Sequence, residues 1–278
     1  MGEKILEIEG ITKKYKDFKL ESVSFSLEAG RLMSVMGAYG AGKTTLFKLL
    51  TGQLRMDEGN VIFFEKGEVL EHCGFVPAEG GFPDCLNAKE ISRILKGCYK
   101  NWQESYFFEL ADRFSLSLTR PLRELTRGAE QKVRILSALA HEPKLLILDE
   151  PTAVLTPQEA RRLFEILENL RRDGKSIVFI SHKLDEVMEI SDRISVMRQG
   201  QYIGTVDKKD TSPKELAKMM IGREVFLNIE RKAAKVGDVV LKVENLWTSG
   251  EKEISKIRGI DLEVRAGEIV GIAGIDGN

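Results

Sequence analysis

The sequence predicts an α/β fold in which a parallel core sheet is flanked by helices and an antiparallel β flap lies beside it. Apolar strands alternate with helical stretches along most of the 278 residues, and this order is typical of parallel sheets covered on both faces. The earliest strands have no helices between them, which favours antiparallel pairing. A glycine-rich loop at residues 37–45 joins one strand to one helix, as in folds that bind phosphate groups.

The strands are predicted from short runs of continuous or alternating apolar residues. They lie at Ile5–Glu9, Val23–Leu27, Leu32–Met36, Val61–Phe64, Gly74–Pro77, Lys144–Leu148, Ser176–Ile180 and Ile194–Met197. The clearest helix is Pro157–Arg172. Thr156 is a suitable N-cap, Glu159 completes a capping box, and Gly174 follows the end of the helix.

The composition argues against several classes of function. The 42 Lys and Arg residues almost balance the 43 Asp and Glu residues, so no overall positive field favours nucleic acid as a partner. The three cysteines have no CxxC spacing, which argues against a disulfide framework and a zinc site. No stretch approaches the roughly 18 apolar residues of a membrane helix, and the first residues lack the apolar run of a signal peptide. We therefore expect a protein of a reducing compartment that reaches a membrane only through a partner.

An internal repeat predicts the domain organisation. The segment ILEIEGITKKY is echoed by VLKVENLW, and three glycines recur with it. The matched pairs are Gly30 with Gly267, Gly37 with Gly274, and Gly40 with Gly277. We expect a complete first domain at residues 1–229 and a polar linker at Glu230–Gly237. Residues 238–278 are then the truncated start of a second copy, which is too short to fold unaided.

The loop at residues 37–45 reads GAYGAGKTT and has the pattern of a phosphate-binding P-loop. Its glycines let the backbone wrap closely around phosphate oxygens, while Lys43 is expected to reach the β and γ phosphates and Thr44 to bind Mg²⁺. The alternative is a glycine turn that only caps a helix. The predicted nucleotide-binding residues of this loop are Gly37, Gly40, Ala41, Gly42, Lys43, Thr44 and Thr45.

Two further segments place polar residues at the ends of apolar strands. The segment LLILDE ends with Asp149, which is expected to hold the Mg²⁺ shell, and Glu150, which is expected to polarise the attacking water. His182 follows the apolar segment IVFIS and is expected at the same edge of the sheet, where its imidazole could sense the γ phosphate. A solvated strand end and a packing histidine are the alternatives. His72 and His141 are interpreted as surface or packing residues.

The order of the P-loop, LTRGAEQKV, LLILDEPT and FISHKLDEV resembles the motif series of ABC ATPases. The segments DEPTAVLTPQEA and SHKLDEVMEISDRISVMRQGQYIGTV are similar to the tandem ATPases of simple-sugar and nucleoside importers, and GEIVGIAGIDGN is closer to the nucleoside type. This resemblance implies a P-loop NTPase of ABC type, with a helical subdomain in addition to the sheet and the β flap.

The resemblance also implies roles for particular residues and partners. Tyr15 would stack on adenine, although a tyrosine near a strand end can also pack against its neighbours, and Asp149 with Glu150 would be the Walker B pair. The implied signature loop is Leu125, Thr126, Arg127, Gly128 and Ala129. The implied ligands are ATP and Mg²⁺. The implied partners are transmembrane permease subunits, a second nucleotide-binding domain and, indirectly, an extracytoplasmic solute-binding protein, at the cytoplasmic face of the cell membrane.

Two residues depart from the family pattern. Arg127 stands where the usual signature has a glycine, which permits unrestricted backbone angles and close approach to the phosphate. We therefore expect compromised geometry in the ATP site that this signature completes. The usual glutamine after FVP is replaced by Ala78, with Glu79 next to it. The function hypotheses are an importer ATPase, a soluble ABC ATPase acting on ribosomes or DNA, and a nucleotide-binding regulator that no longer hydrolyses. The repeat and the strand before His182 exclude a P-loop kinase.

Overall fold

The computed structural model describes residues 3–64, 69–223, 235–248 and 257–272 of a chain that divides into two units, residues 1–225 and 226–278. The described strands of the first unit are β1 (Lys4–Lys14), β2 (Lys19–Glu28), β3 (Leu32–Gly37), β4 (Glu58–Phe63), β5 (Cys73–Val76), β6 (Leu145–Asp149), β7 (Ser176–Ser181), β8 (Arg193–Arg198) and β9 (Gln201–Asp207). Its described helices are α1 (Lys43–Leu50), α2 (Val69–His72), α3 (Ala88–Cys98), α4 (Glu104–Arg113), α5 (Arg127–Leu139), α6 (Pro157–Arg172), α7 (Leu184–Ile190) and α8 (Pro213–Ile221).

The strands of the first unit form one mixed sheet in the order β4-β1-β2-β9-β8-β3-β7-β6-β5. Neighbouring strands from β8 to β5 pair in parallel, whereas β1 is antiparallel to both β2 and β4. This arrangement confirms the predicted α/β class with a parallel core and an antiparallel part. The central strands β3 and β7 are buried along their whole length, as expected for a parallel sheet covered on both faces.

Alternating side chains of β7 show how the two faces of the sheet are covered. Ile177 and Phe179 pack in a core formed with the helices α3 to α6, whereas Val178 and Ile180 pack in a core formed with β1, β2 and α1. Successive side chains of a strand point to opposite faces, so one apolar run supplies both cores. The helices α3 and α4 also pack against α5, which forms the predicted helical part of the fold.

The parallel strands bring the predicted site residues to one edge of the sheet. β3 ends at Gly37, β6 ends at Asp149, and β7 ends at Ser181, immediately before His182. Because these strands are parallel, the loops that follow them all leave from the same edge. Ligands of open α/β sheets bind at the carboxyl ends of the strands, and the P-loop lies there too.

The predicted elements are confirmed, with differences in the bounds of several strands and one additional strand. The helix Pro157–Arg172 has its capping box, since Glu159 N donates to Thr156 Oγ1 at 3.3 Å and Thr156 N donates to Glu159 Oε2 at 2.9 Å. β1 continues past the predicted end at Glu9 through a register shift, where Gly10 has a φ of +59°. The strand β9 was not predicted, because its residues are half-buried and Gly204 interrupts the strand pattern.

The second unit contains an antiparallel pair, β10 (Val239–Leu246) and β11 (Ile260–Arg265). Its register reproduces that of β1 and β2: Leu241 pairs with Val264 as Leu6 pairs with Leu27. Asn245 has a φ of +49° at the position that matches Gly10. These features support the repeat, while Gly274, Gly277 and residues 230–234 of the predicted linker lie outside the described residues. None of the described helices is both long enough and apolar enough to span a bilayer.

Candidate nucleotide-binding site

The loop between β3 and α1 has a backbone that requires glycine. A Cβ on Gly37 would lie 2.4 Å from the carbonyl oxygen of Met197, and Gly40 and Gly42 have φ angles of +76° and +99°. Gly42 is the N-cap of α1, and no described side chain caps that helix. The backbone N–H groups of its first turn are therefore available to an anion, which the helix dipole also favours.

Lys43, the first residue of α1, is buried at this loop. Its Nζ donates hydrogen bonds to the carbonyl oxygens of Gly37 at 2.9 Å and Ala38 at 3.3 Å, and it lies 3.4 Å from Glu150 Oε1. The ammonium group is thus held within the loop rather than extended into solvent. This places its charge beside the N–H groups that would bind phosphate oxygens.

Asp149, the last residue of β6, is fully buried, and neither of its carboxylate oxygens has a hydrogen-bond partner among the described residues. Burial raises the pKa of Asp149 to about 6, and the nearby Thr44 hydroxyl opposes this shift. An unpartnered carboxylate facing a hydroxyl is a costly arrangement in a protein interior. It fits Mg²⁺, which prefers oxygen ligands.

Glu150 has a backbone conformation that is rare for its residue type, with a φ of +46°. Its N–H donates to the carbonyl oxygen of Ile180 at 2.9 Å, which ties the residue to the end of β7. Oε2 of its carboxylate lies 2.8 Å from His182 Nδ1, and the His182 side chain is 52% exposed. The structure therefore brings Lys43, Glu150 and His182 together, as the sequence predicts, with His182 on the solvent side.

The sequence analysis did not identify a group of polar residues close to Glu150 and His182. Glu186 accepts hydrogen bonds from Thr152 Oγ1 at 2.6 Å and Ser181 Oγ at 3.2 Å, and its Oε1 lies 2.9 Å from Lys183 Nζ. These polar residues lie close to Glu150 and His182 in the sequence, and this nearness could have marked them as neighbours of the site. Their mutual contacts depend on the pairing of β6 with β7, which local sequence does not show.

Tyr15 lies between β1 and β2 and is 45% exposed. Its N–H donates to the carbonyl oxygen of Phe18 at 2.8 Å, and the two ring centroids are 6.2 Å apart. The Phe18 ring borders the P-loop, because a Cβ on Gly42 would lie 3.0 Å from Phe18 Cζ. Tyr15 is therefore an exposed aromatic residue in the turn beside the loop, and its stacking on adenine stays a prediction.

Comparison with known proteins identifies the family. Residues 20–153 match the sequence model of the family described as ABC transporter. The chain is also 37% identical over 295 residues to a nucleoside import ATP-binding protein, NupA, of Lactococcus lactis subsp. cremoris, covering 100% of this chain and 58% of that protein. Residues 20–153 belong to the ABC transporter family. The chain spans less than two thirds of the length of the curated relatives it matches.

A further relative and a solved structure are also similar to this chain. The chain is 36% identical to the galactose/methyl galactoside import ATP-binding protein MglA 1 of Photobacterium profundum, covering 100% of this chain and 59% of that protein. Among solved structures, it is similar to the ADP conformation of an ATP-binding cassette of an ABC transporter, with a TM-score of 0.63, 27% identity, and coverage of 79% of this chain and 99% of that chain.

The predicted ABC signature loop begins α5. Thr126 is the N-cap of this helix, and its Oγ1 accepts a hydrogen bond from Ala129 N at 3.3 Å. A Cβ on Gly128 would lie 2.8 Å from the carbonyl oxygen of Val154. Gly128 therefore allows α5 to approach the segment that follows Glu150.

The expectation that Arg127 stands where the backbone angles of glycine are needed is wrong, whereas its effect on close approach to a phosphate stays a prediction. Arg127 is the first residue of α5, its side chain is exposed, and its φ is not in the left-handed region. An ordinary helical residue does not need the conformational freedom of glycine. The substitution therefore adds a bulky cation at the start of α5 without straining the backbone.

The loop after β5 contains the second departure from the ABC pattern. The carbonyl oxygen of Ala78 accepts a hydrogen bond at 3.3 Å from Arg134 of α5. Glu79 is exposed and has no hydrogen bond or ion pair with a described residue. Ala78 is thus connected to the helix that begins at the signature loop.

Proposed function

We propose that this chain is the ATP-binding and ATP-hydrolysing motor of an ABC importer that takes up a nucleoside or simple sugar through separate permease subunits. The observation that carries this proposal is the cluster of Lys43, Asp149, Glu150 and His182 at the carboxyl edge of the sheet. The nucleoside and sugar import relatives support the class of solute. The protein would act at the cytoplasmic face of the membrane, with permease subunits, a second nucleotide-binding domain and an extracytoplasmic solute-binding protein as partners.

The P-loop would hold ATP through its backbone. The N–H groups of the loop and of the first turn of α1 bind phosphate oxygens, and Lys43 neutralises charge on the β and γ phosphates. Its present bonds to Gly37 and Ala38 carbonyl oxygens keep Nζ in the loop before nucleotide binds. Tyr15 would stack on the adenine ring from the turn beside the loop.

The carboxylates of Asp149 and Glu150 would have different roles in metal binding and catalysis. Asp149 and Thr44 would hold Mg²⁺, which neutralises charge on the phosphates when it is bound. Glu150 would orient the attacking water and accept its proton, since a general base must lie within hydrogen-bond reach of the water. His182 would contact the γ phosphate while its Nδ1 stays bonded to Glu150, which keeps that carboxylate pointed at the nucleotide.

The domain organisation is part of the proposal. We infer a first nucleotide-binding domain at residues 1–229, a linker at 230–237 and the start of a second such domain at 238–278. The matching registers of β1–β2 and β10–β11 support this assignment. In the head-to-tail dimer expected of the ABC family, Leu125–Ala129 would complete the ATP site of the other domain.

A regulator that binds ATP without hydrolysing it is the second candidate function, because Arg127 and Ala78 depart from the ABC pattern. Rates of ATP hydrolysis separate the two functions. This chain alone should hydrolyse ATP slowly, and adding the complete second domain should raise the rate of the wild type but not of Glu150→Gln. Equal rates for the two forms would reject Glu150 as the base, and an absence of hydrolysis with preserved ATP binding would favour the regulator.

A further inference from the structure

The carboxylate of Glu186, in the first turn of α7, connects two separate segments of the chain. Its Oε2 accepts hydrogen bonds from Thr152 Oγ1 at 2.6 Å and Ser181 Oγ at 3.2 Å. Its Oε1 lies 2.9 Å from Lys183 Nζ, which also donates to the carbonyl oxygen of Thr152 at 3.0 Å. Both carboxylate oxygens are therefore used, and each of them bonds to a residue beside the candidate site.

These bonds join the segments that carry Glu150 and His182. Thr152 follows Glu150 by two residues, whereas Ser181 immediately precedes His182. Thr152 and Ser181 are buried, with 1% and 0% exposure, so their hydroxyl groups have little access to water as an alternative partner. Loss of the Glu186 carboxylate would remove the acceptor that the two buried hydroxyls share and leave them only the bonds that they accept from Lys183 N and Nζ. The connection between the two segments would therefore be weaker.

The backbone of Glu150 makes such support necessary. Residues in the left-handed region persist only where the surrounding structure holds them there. The main-chain bonds of Glu150 are its N–H to Ile180 O at 2.9 Å and its carbonyl oxygen to Ala153 N at 3.1 Å. The bonds of Glu186 add a side-chain restraint on the turn that follows, and they act on the His182 segment at the same time.

We propose that Glu186 is a positioning residue, which holds Glu150 and His182 at hydrogen-bond distance so that the Glu150 carboxylate stays aimed at the γ phosphate. The catalytic importance of this distance rests on the proposed function. The positioning itself does not, because it is a property of the protein without nucleotide. The Glu186 side chain makes no hydrogen bond with either member of the pair. Its effect passes through Thr152 and Ser181.

A simpler role would be a favourable charge at the N-terminus of α7. Asp185 provides the matched control, because it lies in the same helical turn and is exposed, and it makes no hydrogen bond or ion pair with a described residue. Asp185→Asn removes the same charge as Glu186→Gln. A helix-dipole effect would be similar in both variants, whereas a positioning effect would occur only in Glu186→Gln.

The first measurement is the NMR spectrum of the histidine rings in the nucleotide-free chain. The chain has three histidines, and His182→Gln identifies the His182 signals. We expect Glu186→Gln to shift the His182 signals and leave those of His72 and His141 in place, while Asp185→Asn shifts none. Unchanged His182 signals in folded Glu186→Gln, or an equal shift in Asp185→Asn, would overturn the proposal.

The second measurement is the kinetics of the full-length protein. Glu186→Gln should lower kcat by roughly tenfold or more, since small displacements of a catalytic group reduce rates strongly, while ATP affinity measured by calorimetry stays within about twofold. An equal loss of affinity and kcat would overturn the proposal. If the wild type showed no hydrolysis while the His182 signals still shifted, the proposed function would fail and the positioning role would stand.

Thr152→Val supplies a second variant if Glu186→Gln does not fold. It removes one hydroxyl donor with little change of shape. The same shift of the His182 signals is expected, and unchanged His182 signals in folded Thr152→Val would contradict the proposal. Where Glu186→Gln folds, the double variant should show no further shift because both changes break the same connection. Independent shifts that add in the double variant would contradict the proposal.

Discussion

His182 Nδ1 and Glu150 Oε2 lie 2.8 Å apart, although the two residues are separated by 32 positions in the sequence. Asp149, at the end of β6, pairs with Ile180 of β7, and Glu150 N donates to the carbonyl oxygen of Ile180. The left-handed backbone of Glu150 then turns its side chain towards His182 and Lys43. Strand pairing and one uncommon backbone conformation thus assemble the candidate base, histidine and lysine before any nucleotide binds.

Lys43→Ala should abolish Mg·ATP binding by this chain. The buried ammonium group is held in the loop by the carbonyl oxygens of Gly37 and Ala38, and its removal leaves the phosphates without their nearest cation. Isothermal calorimetry measures the affinity. Lys48→Ala is the matched control, because Lys48 is an exposed lysine of the same helix. Equal ATP affinity for the wild type and Lys43→Ala would show that phosphate binding is assigned to the wrong loop.

In the full-length protein, Glu150→Gln should lower steady-state ATP hydrolysis by a factor on the order of 10² or more, which is the usual scale for loss of a general base. Glutamine keeps the shape and the hydrogen bond to His182 but cannot accept the proton. Arg127→Gly should change the rate little, because Arg127 belongs to the signature that completes the other ATP site. A severalfold gain in Arg127→Gly together with tolerance of Glu150→Gln would reverse this assignment.

Asp149→Asn should stabilise the protein at neutral pH in the absence of Mg²⁺. Burial raises the pKa of Asp149 from 3.8 to about 6, so the folded state binds more protons than the unfolded state between these values. The contribution of this residue to stability is therefore lost as the pH rises through that window, and the ionised form costs roughly 3 kcal/mol at pH 7. Urea unfolding at pH 3.5 and pH 7 measures the free energy of unfolding of the wild type and of Asp149→Asn.

The stability difference between Asp149→Asn and the wild type should be large at pH 7 and small at pH 3.5, where the aspartate is mostly protonated in both states. Mg²⁺ should raise the stability of the wild type and not that of Asp149→Asn, since the cation compensates the buried charge. A difference that is the same at both pH values would mean that the Asp149 carboxyl is not destabilised by burial.

Gly128→Ala should destabilise the first domain by about 1 kcal/mol or more, because the added Cβ would lie 2.8 Å from the backbone carbonyl oxygen of Val154. Gly97→Ala is the control within another helix, where nothing lies within 4 Å of the added Cβ. Removing the conformational freedom of Gly97 should stabilise α3 by about 0.5–1 kcal/mol. Thermal unfolding of both variants tests whether close packing, rather than the flexibility of glycine, explains Gly128.

Several elements could be predicted because their signals are local. The capping residues Thr156 and Glu159 mark the start of α6 within four residues, and the P-loop pattern specifies its glycines by spacing alone. The strand β9 could not be predicted in this way. It is held by antiparallel pairing with β8, and Gly204 weakens its own preference for an extended conformation.

Arg127 shows the limit of reasoning from a motif. Its position in the signature suggested a backbone that only glycine could adopt, but α5 begins at this residue with ordinary helical geometry. The steric demand falls on Gly128 instead, because Val154 approaches it from the segment after β6. Sequence spacing identifies the loop, and only the packing of neighbouring segments shows which glycine the loop requires.

The sequence by itself determined the fold class, the phosphate loop and the identity of the residues at the strand ends, since each is visible in patterns of residues close in the chain. The tertiary structure decided how those residues act on one another. The unpartnered state of Asp149, the bond between Glu150 and His182 and the connection through Glu186 all arise from residues brought together by β6, β7 and α7. Burial and strand pairing are properties of the folded chain, and they set both the charge balance of the site and the distance between its groups.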